Sequence, residues 1–297
     1  MYSRRFVQLD VFTDRAGYGN ALAVVLDGDG LDTAAMQRFA MWTNLSETTF
    51  LLLPTTSEAD YRVRIFTPRQ ELPFAGHPSV GSAYAALSTG LAQPRDERMV
   101  QECAAGLLPI RVAGNDDARV VHVRAPHATL RAPSTNEVTL LAAALRGVDD
   151  FDLGDCRLAD NGPRFWLVKL SSGKSVRRMQ PALTEITELC LATGAVGLAV
   201  YAHADRGENG DDYALAVRVY CPTDGIPEDP VTGSAQASIA AALHANGELA
   251  RSGNPYRASQ GREIGRDGIV EVEVDADGEV WIGGRCVIAI RGELEWN

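Results

Sequence analysis

The chain carries two copies of one short motif, and this repeat restricts the possible folds more than any other feature. The first copy is HPSVGSA at residues 77–83, and the second is DPVTGSA at residues 229–235. The copies lie 152 positions apart in a chain of 297 residues. Upstream, RIFTP at residues 64–68 is matched by RVYCP at residues 218–222. A self-match at about half the chain length predicts two copies of one fold unit.

Each copy has the pattern of a β-strand, a polar turn and a helix. Apolar and β-branched residues precede the turn, and an Ala-rich run that ends near Gly90 or Gly247 follows it. A helix start offers unpaired backbone N–H groups, which suit a carboxylate or a developing oxyanion. Two such starts facing each other would form one anion-binding cleft. The alternative is that both are simply buried Ala-rich core helices.

Length and charge narrow the possible classes of protein. The 297 residues suit two domains of about 150 residues each. Hydrophobic residues make up 45% of the chain, which is enough for an ordinary core. The net charge of −11 argues against a nucleic-acid or anionic-membrane partner. A small anionic substrate remains possible, because a local cleft can oppose the global charge.

The cysteines and the N-terminus predict a protein of the reduced cytoplasm. There is no apolar signal core at the N-terminus and no apolar run long enough to span a membrane. The cysteines are odd in number and scattered, with neither metal-site spacing nor a disulfide framework. They are Cys103, Cys156, Cys190, Cys221 and Cys286.

Four residues are the strongest candidates for chemistry: Glu47, His77, Asp229 and Ser234. His77 and Asp229 each directly precede the proline that the two motifs share. Aligning the motifs on this proline predicts that the two residues occupy equivalent positions. An imidazole and a carboxylate in one cleft could share acid–base work. In the alternative interpretation, both residues cap helices or brace turns. Glu47 could likewise be an ordinary exposed strand residue.

The sequence lacks the motifs on which several other catalytic chemistries depend. The chain contains no His-Glu-x-x-His motif and no Gly-x-Ser-x-Gly motif. Residues 173–175 resemble the end of a phosphate-binding loop, but Val168 stands where the first glycine is needed. The sequence therefore predicts neither a metal site nor a cofactor.

Taken together, four motifs resemble the PhzF-like family of phenazine-biosynthesis isomerases. They are GNALAVV at 19–25, NLSET at 44–48, FAGHP at 74–78 and EDPVTGSA at 228–235. The resemblance covers nearly the whole chain in order. Ala21 departs from the family pattern, which usually has proline there.

The resemblance implies an α+β fold of the diaminopimelate-epimerase type. Two pseudo-symmetric halves are expected, each a curled, barrel-like antiparallel sheet around a central helix, with the active site between them. The N-terminal half should comprise residues 1–127 plus 281–297, and the C-terminal half residues 128–280. Family members of this kind also suggest a homodimer. The paired cysteines that epimerases carry at the two helix starts are absent here.

The resemblance also implies a reaction and a set of site residues. Glu47 is expected to act as acid and base in a cofactor-free proton shift on trans-2,3-dihydro-3-hydroxyanthranilate or a similar small cyclic amino acid, with His77 and Asp229 as further catalytic residues. The implied substrate-binding residues are Asn20, Ser46, Gly76, Gly233 and Ser234.

Two alternatives to this reaction stay open. One is an epimerase or isomerase that acts on a different small carboxylate. The other is a protein that kept the pocket and only binds a small molecule. The joint presence of Glu47, His77 and Asp229 argues against the second alternative.

Overall fold

The computed structural model describes residues 3–115, 118–148, 151–205 and 213–297. The chain divides into two compact units. Unit 1 comprises Met1–Ala125 and Ile282–Asn297, and unit 2 comprises Pro126–Trp281. The divisions predicted from the sequence lay after residues 127 and 280. Within the described residues, no helix is both long enough and apolar enough to cross a membrane.

Unit 1 alternates strands with two helices. Its elements are β1 (Ser3–Val11), β2 (Asn20–Val25), α1 (Thr33–Thr43), β3 (Glu47–Leu52), β4 (Tyr61–Phe66), β5 (Glu71–Leu72), α2 (Gly76–Ser88), β6 (Arg98–Cys103), β7 (Gly106–Ala113) and β8 (Val120–Arg124). Unit 2 contains β9 (Thr129–Arg131), α3 (Thr135–Ala144), β10 (Arg157–Asp160), β11 (Arg164–Lys169), α4 (Gly173–Arg178), α5 (Leu183–Thr193), β12 (Gly197–His203), β13 (Leu215–Cys221), β14 (Ile226–Asp229), α6 (Gly233–Ala245), α7 (Leu249–Ser252), β15 (Tyr256–Gln260) and β16 (Gly268–Val274). The last strand, β17 (Val280–Glu295), enters unit 1 at Ile282.

The strands of unit 1 close into a barrel, which confirms the predicted barrel-like sheet. Hydrogen bonding runs from β1 through β2, β3, β4, β6, β7 and β8 to β17, which pairs with β1 again. β17 closes the ring by pairing antiparallel to β1, with Cys286 opposite Val11. Two pairs are parallel, β2 with β3 and β4 with β6. Each parallel pair needs a crossover, and these crossovers hold α1 and α2.

Helix α2 is the central helix of this barrel, and nearly all of its residues are buried. It can lie inside because its side chains are small: the segment reads GHPSVGSAYAALS. The closest approach is at Gly81, where an added Cβ would lie 2.6 Å from Leu22 Cδ2 and 2.8 Å from Val11 Cγ2. Glycine at this position therefore sets how near the helix comes to β1 and β2.

We expect Gly81→Ala to lower the free energy of unfolding by about 1–3 kcal/mol, because the new methyl must displace buried side chains. Gly292→Ala in β17 is the matched control. No atom lies within 4 Å of a Cβ added there, so its effect should stay within about 0.5 kcal/mol. Urea unfolding of both variants measures the difference, and equal effects would contradict the close packing at Gly81.

Unit 2 repeats the same order of pairings around its own buried helix, α6. Its strands pair in the order β9, β10, β11, β12, β13, β15 and β16. The pairs β11–β12 and β13–β15 are parallel, as β2–β3 and β4–β6 are in unit 1. The predicted α+β class with two similar halves, each a curled and mostly antiparallel sheet around a helix, is confirmed.

The structural repeat has a different register from the one predicted. The helices begin at Gly76 and Gly233, so ELPFAG at 71–76 matches EDPVTG at 228–233. The strand ladders agree, since Leu72 lies opposite Ile65 and Asp229 opposite Val219. The predicted equivalence of His77 and Asp229 is therefore wrong.

In this register His77 corresponds to Ser234, the second residue of each helix. Asp229 corresponds to Leu72 and belongs to unit 2 alone. The aligned prolines mislead, because Pro78 lies inside the first turn of α2 whereas Pro230 precedes α6. The similarity of residues 77–83 to residues 229–235 arises from small residues, which both buried helices need for packing.

The matched arginines of the upstream motif hold equivalent ion pairs. Arg64 on β4 makes two hydrogen bonds to Glu71 on β5, at 2.7 and 2.6 Å. Arg218 on β13 makes two to Glu228 on β14, at 2.9 and 2.7 Å. In each unit the pair fixes the short strand that leads to the central helix.

Candidate active site

Unit 1 brings four of the predicted site residues together at one edge of its barrel. Asn20 is the first residue of β2, and Glu47 is the first residue of β3. These strands run parallel with Leu22 opposite Glu47, so both start at the same edge. His77, at the start of α2, and Ser46 complete the group.

The four side chains form a chain of polar contacts. Ser46 Oγ donates to Asn20 Oδ1 at 3.2 Å. Asn20 Nδ2 lies 3.4 Å from His77 Nδ1, and His77 Nε2 lies 3.5 Å from Glu47 Oε2. Because the Asn20 oxygen accepts from Ser46, its NH₂ group faces the imidazole as a donor. His77 Nε2 makes no hydrogen bond within the described residues, so its approach to Glu47 Oε2 is a close polar contact and not a hydrogen bond.

Burial keeps the His77 imidazole neutral. Its side chain is 4% exposed, and desolvation lowers its pKa to about 3, opposed by a hydrogen bond with the Ala21 backbone. The Glu47 side chain is 17% exposed. Glu47 is therefore the more accessible member of the pair, and its carboxylate lies against a buried, neutral imidazole.

We expect the His77 ring to stay neutral from pH 8 down to about pH 4, since its pKa lies near 3. The folded pKa is below the unfolded value, so His77 stabilises the fold above about pH 6.5 and this contribution is lost as the pH falls toward 3. Ring ¹⁵N shifts, with the signal assigned by its absence in His77→Gln, report the titration. A midpoint between pH 6 and 7 would contradict the buried neutral imidazole.

In unit 2 a second group surrounds the start of α6. Asp229 is 7% exposed, and its Oδ2 accepts a hydrogen bond from Thr232 Oγ1 at 2.5 Å. Gln260, fully buried on β15, contacts the same turn. Asn161 Nδ2 donates to the Ser234 backbone carbonyl at 2.9 Å. This group includes the predicted site residues Asp229, Gly233 and Ser234.

Both helix starts keep the character that suits an anion. The residues before the helices, Ala75 and Thr232, make no side-chain capping hydrogen bond. First-turn N–H groups have no partner within the helix, and the helix dipole adds partial positive charge there. An asparagine holds the second helical residue in each unit: Asn20 contacts His77, and Asn161 contacts Ser234.

Comparison with known proteins identifies the family of this chain. The family model "Phenazine biosynthesis-like protein" matches residues 9–292. The chain belongs to the PhzF-like family of isomerases. It is 33% identical to a trans-2,3-dihydro-3-hydroxyanthranilate isomerase of Pseudomonas aeruginosa, over 96% of this chain and 99% of that protein. It is 36% identical to an uncharacterized isomerase of Deinococcus radiodurans, over 97% of this chain and 94% of that protein.

A solved structure agrees with the family assignment. The PhzF-family phenazine biosynthesis protein of Bacillus anthracis superposes with a TM-score of 0.82. The two are 26% identical, and the alignment covers 99% of this chain and 100% of that one. The resemblance predicted from the four motifs is confirmed, as is the assignment of the chain as an isomerase.

Four polar residues around the start of α6 in unit 2 were not predicted from the sequence: Asn161, Thr232, Gln236 and Gln260. The sequence does point to Asn161, because it lies shortly before β11 as Asn20 lies at the start of β2. Nothing in the sequence points to Gln260, because a glutamine at the end of a strand is most often a surface residue. Among the described residues, no group of three or more His, Cys, Asp or Glu side chains is placed to hold a metal ion.

Proposed function

We propose that this PhzF-like isomerase moves a proton between two carbons of a small cyclic amino acid, with Glu47 as both base and acid and without a cofactor. One observation supports this most strongly: the Glu47 carboxylate lies 3.5 Å from Nε2 of a buried, neutral imidazole. A cationic partner would stabilise the ionised carboxylate and weaken it as a base. A neutral imidazole at this position leaves the carboxylate more of its basicity.

The reaction has two proton transfers. Glu47 first removes a proton from a ring carbon; the C–H electrons spread into the adjacent unsaturated system, and the carboxylate becomes a carboxylic acid. Glu47 then returns a proton to a different carbon, which regenerates the carboxylate. Where the first carbon bears a hydroxyl, the product is an enol, which becomes a ketone. One positioned carboxyl group can perform both steps, and such catalysis contributes typically 10²–10⁴-fold.

The substrate's polar groups would be bound by different donors and acceptors. At the start of α2 in unit 1, we assign an anionic group to the first-turn N–H groups that begin at Gly76. At the start of α6 in unit 2, the Gly233 N–H and the Ser234 hydroxyl suit an anionic group, and Asp229 suits an amine or a hydroxyl. Because these contacts are local, the net charge of −11 does not oppose binding of an anion.

The substrate named for the Pseudomonas aeruginosa relative, trans-2,3-dihydro-3-hydroxyanthranilate, is the first compound to test. Its consumption, and that of a panel of other cyclic amino acids, can be followed by proton NMR in deuterated water. We expect the signal of one ring or α-carbon proton to disappear with turnover. Calorimetric binding without exchange for every compound would support a binding protein and contradict the isomerase proposal. The homodimer stays a prediction, which light scattering at defined concentration tests.

A further inference from the structure

Gln260 makes a complete set of hydrogen bonds beneath the turn that carries Asp229. Its Oε1 accepts from the Thr232 backbone N–H at 3.1 Å and from Gln236 Nε2 at 3.0 Å. Its Nε2 donates to the Asp229 backbone carbonyl at 3.0 Å and to Thr232 Oγ1 at 2.9 Å. The side chain is fully buried, so no water competes for these contacts.

The direction of every bond in this network is determined. A backbone N–H can only donate and a backbone carbonyl can only accept, so the Gln260 amide has one possible orientation. Its NH₂ group therefore donates to the Thr232 hydroxyl. The Thr232 proton is then directed at Asp229 Oδ2, which lies 2.5 Å from Thr232 Oγ1.

From this geometry we propose that Gln260 is a positioning residue that acts through Thr232 to hold Asp229 as an ionised hydrogen-bond acceptor. The effect of this positioning on catalysis rests on the proposed function. One carboxylate oxygen, Oδ2, accepts the hydrogen bond from the Thr232 hydroxyl. A group that meets Asp229 must be a hydrogen-bond donor, an amine or a hydroxyl, and not a second carboxylate.

The competing explanation is that Gln260 only braces the turn between β14 and α6. Both explanations predict a loss of stability when the network is cut. Only the positioning role requires that the pKa of Asp229 change when the Thr232 hydroxyl is removed. The deciding measurement must therefore report on Asp229 itself and must not need a substrate.

The test is a ¹³C NMR titration of the aspartate side-chain carboxyl carbons in the free protein, with Asp229 assigned by the signal lost in Asp229→Asn. Thr232→Val removes the hydroxyl at nearly constant shape and should raise the Asp229 titration midpoint by about one pH unit. Thr232→Ser keeps the hydroxyl and should restore the wild-type midpoint. Gln260→Glu cannot donate to Thr232 when ionised and should also raise the midpoint.

An unchanged Asp229 midpoint in Thr232→Val would overturn the proposal, as would a raised midpoint that Thr232→Ser fails to restore. If Gln260→Glu does not fold, Gln260→Met, which removes the donor to Thr232 without adding a charge, takes its place, and an unchanged Asp229 midpoint in that variant would overturn the proposal. Where a substrate is turned over, Thr232→Val should lower kcat/KM about tenfold, with rescue by Thr232→Ser. If no cyclic amino acid reacts, the proposed function fails while the titration result stands, so the two failures are distinguishable.

Discussion

Glu47→Gln is expected to lower kcat by about two to four orders of magnitude while changing substrate affinity only a few-fold. Glutamine keeps the size of the side chain and a polar oxygen beside His77 Nε2, which lies 3.5 Å from the native carboxylate. It cannot accept a proton from carbon. Steady-state kinetics and binding calorimetry together separate the loss of chemistry from a loss of binding.

Glu58→Gln is the matched control for this variant. It removes the same charge from an exposed glutamate of unit 1 and should leave kcat unchanged. His77→Ala, by contrast, should affect binding as well as rate, because it removes the imidazole next to Glu47 and opens space at the start of α2. If Glu47→Gln retained wild-type kcat, the catalytic role would move to Asp229 or His77.

Arg218→Met is expected to lower the free energy of unfolding by about 3–5 kcal/mol, since it leaves a buried carboxylate without its counterion. The Arg218 and Glu228 side chains are only 7% and 10% exposed. Arg218 Nη1 also donates to the Met179 carbonyl at 2.7 Å, a bond that is lost as well. Urea unfolding of the variant measures the effect.

The equivalent pair of unit 1 supplies the control for Arg218. The Arg64 and Glu71 side chains are 25% and 31% exposed, so Arg64→Met should cost about 1 kcal/mol or less. The double variant Arg218→Met with Glu228→Gln should recover part of the loss, because no buried charge then remains unpaired. Equal losses at the two arginines would show that burial does not determine the strength of the pairs.

The two-unit architecture could be predicted because the internal repeat and the family motifs are both visible in the sequence. The matched arginines at residues 64 and 218 hold equivalent ion pairs, and the motifs around Asn20, Glu47 and His77 meet at one edge of unit 1. The register of the repeat was not predictable from residues 77–83 and 229–235. Buried helices that pack closely inside a barrel need Gly, Ala and Ser, so similarity of composition there does not fix equivalence of position.

The residues that hold the site side chains in place could not be predicted from the sequence, because their contacts form only in the folded chain. Gln260 contacts Asp229 and Thr232 only because β15 packs beside β13, a parallel pairing between segments distant in sequence. The neutral state of His77 likewise depends on burial in the folded barrel and not on its neighbours along the chain.

Deuterium incorporation is the sharpest test of whether Glu47 carries the proton. Wild-type protein and Glu47→Gln are incubated in deuterated water with a substrate that the wild type converts, and the products are analysed by mass spectrometry and NMR. We expect one deuterium at the reprotonated carbon with the wild type and none above background with Glu47→Gln. Deuterium entering at the wild-type rate in Glu47→Gln would contradict it.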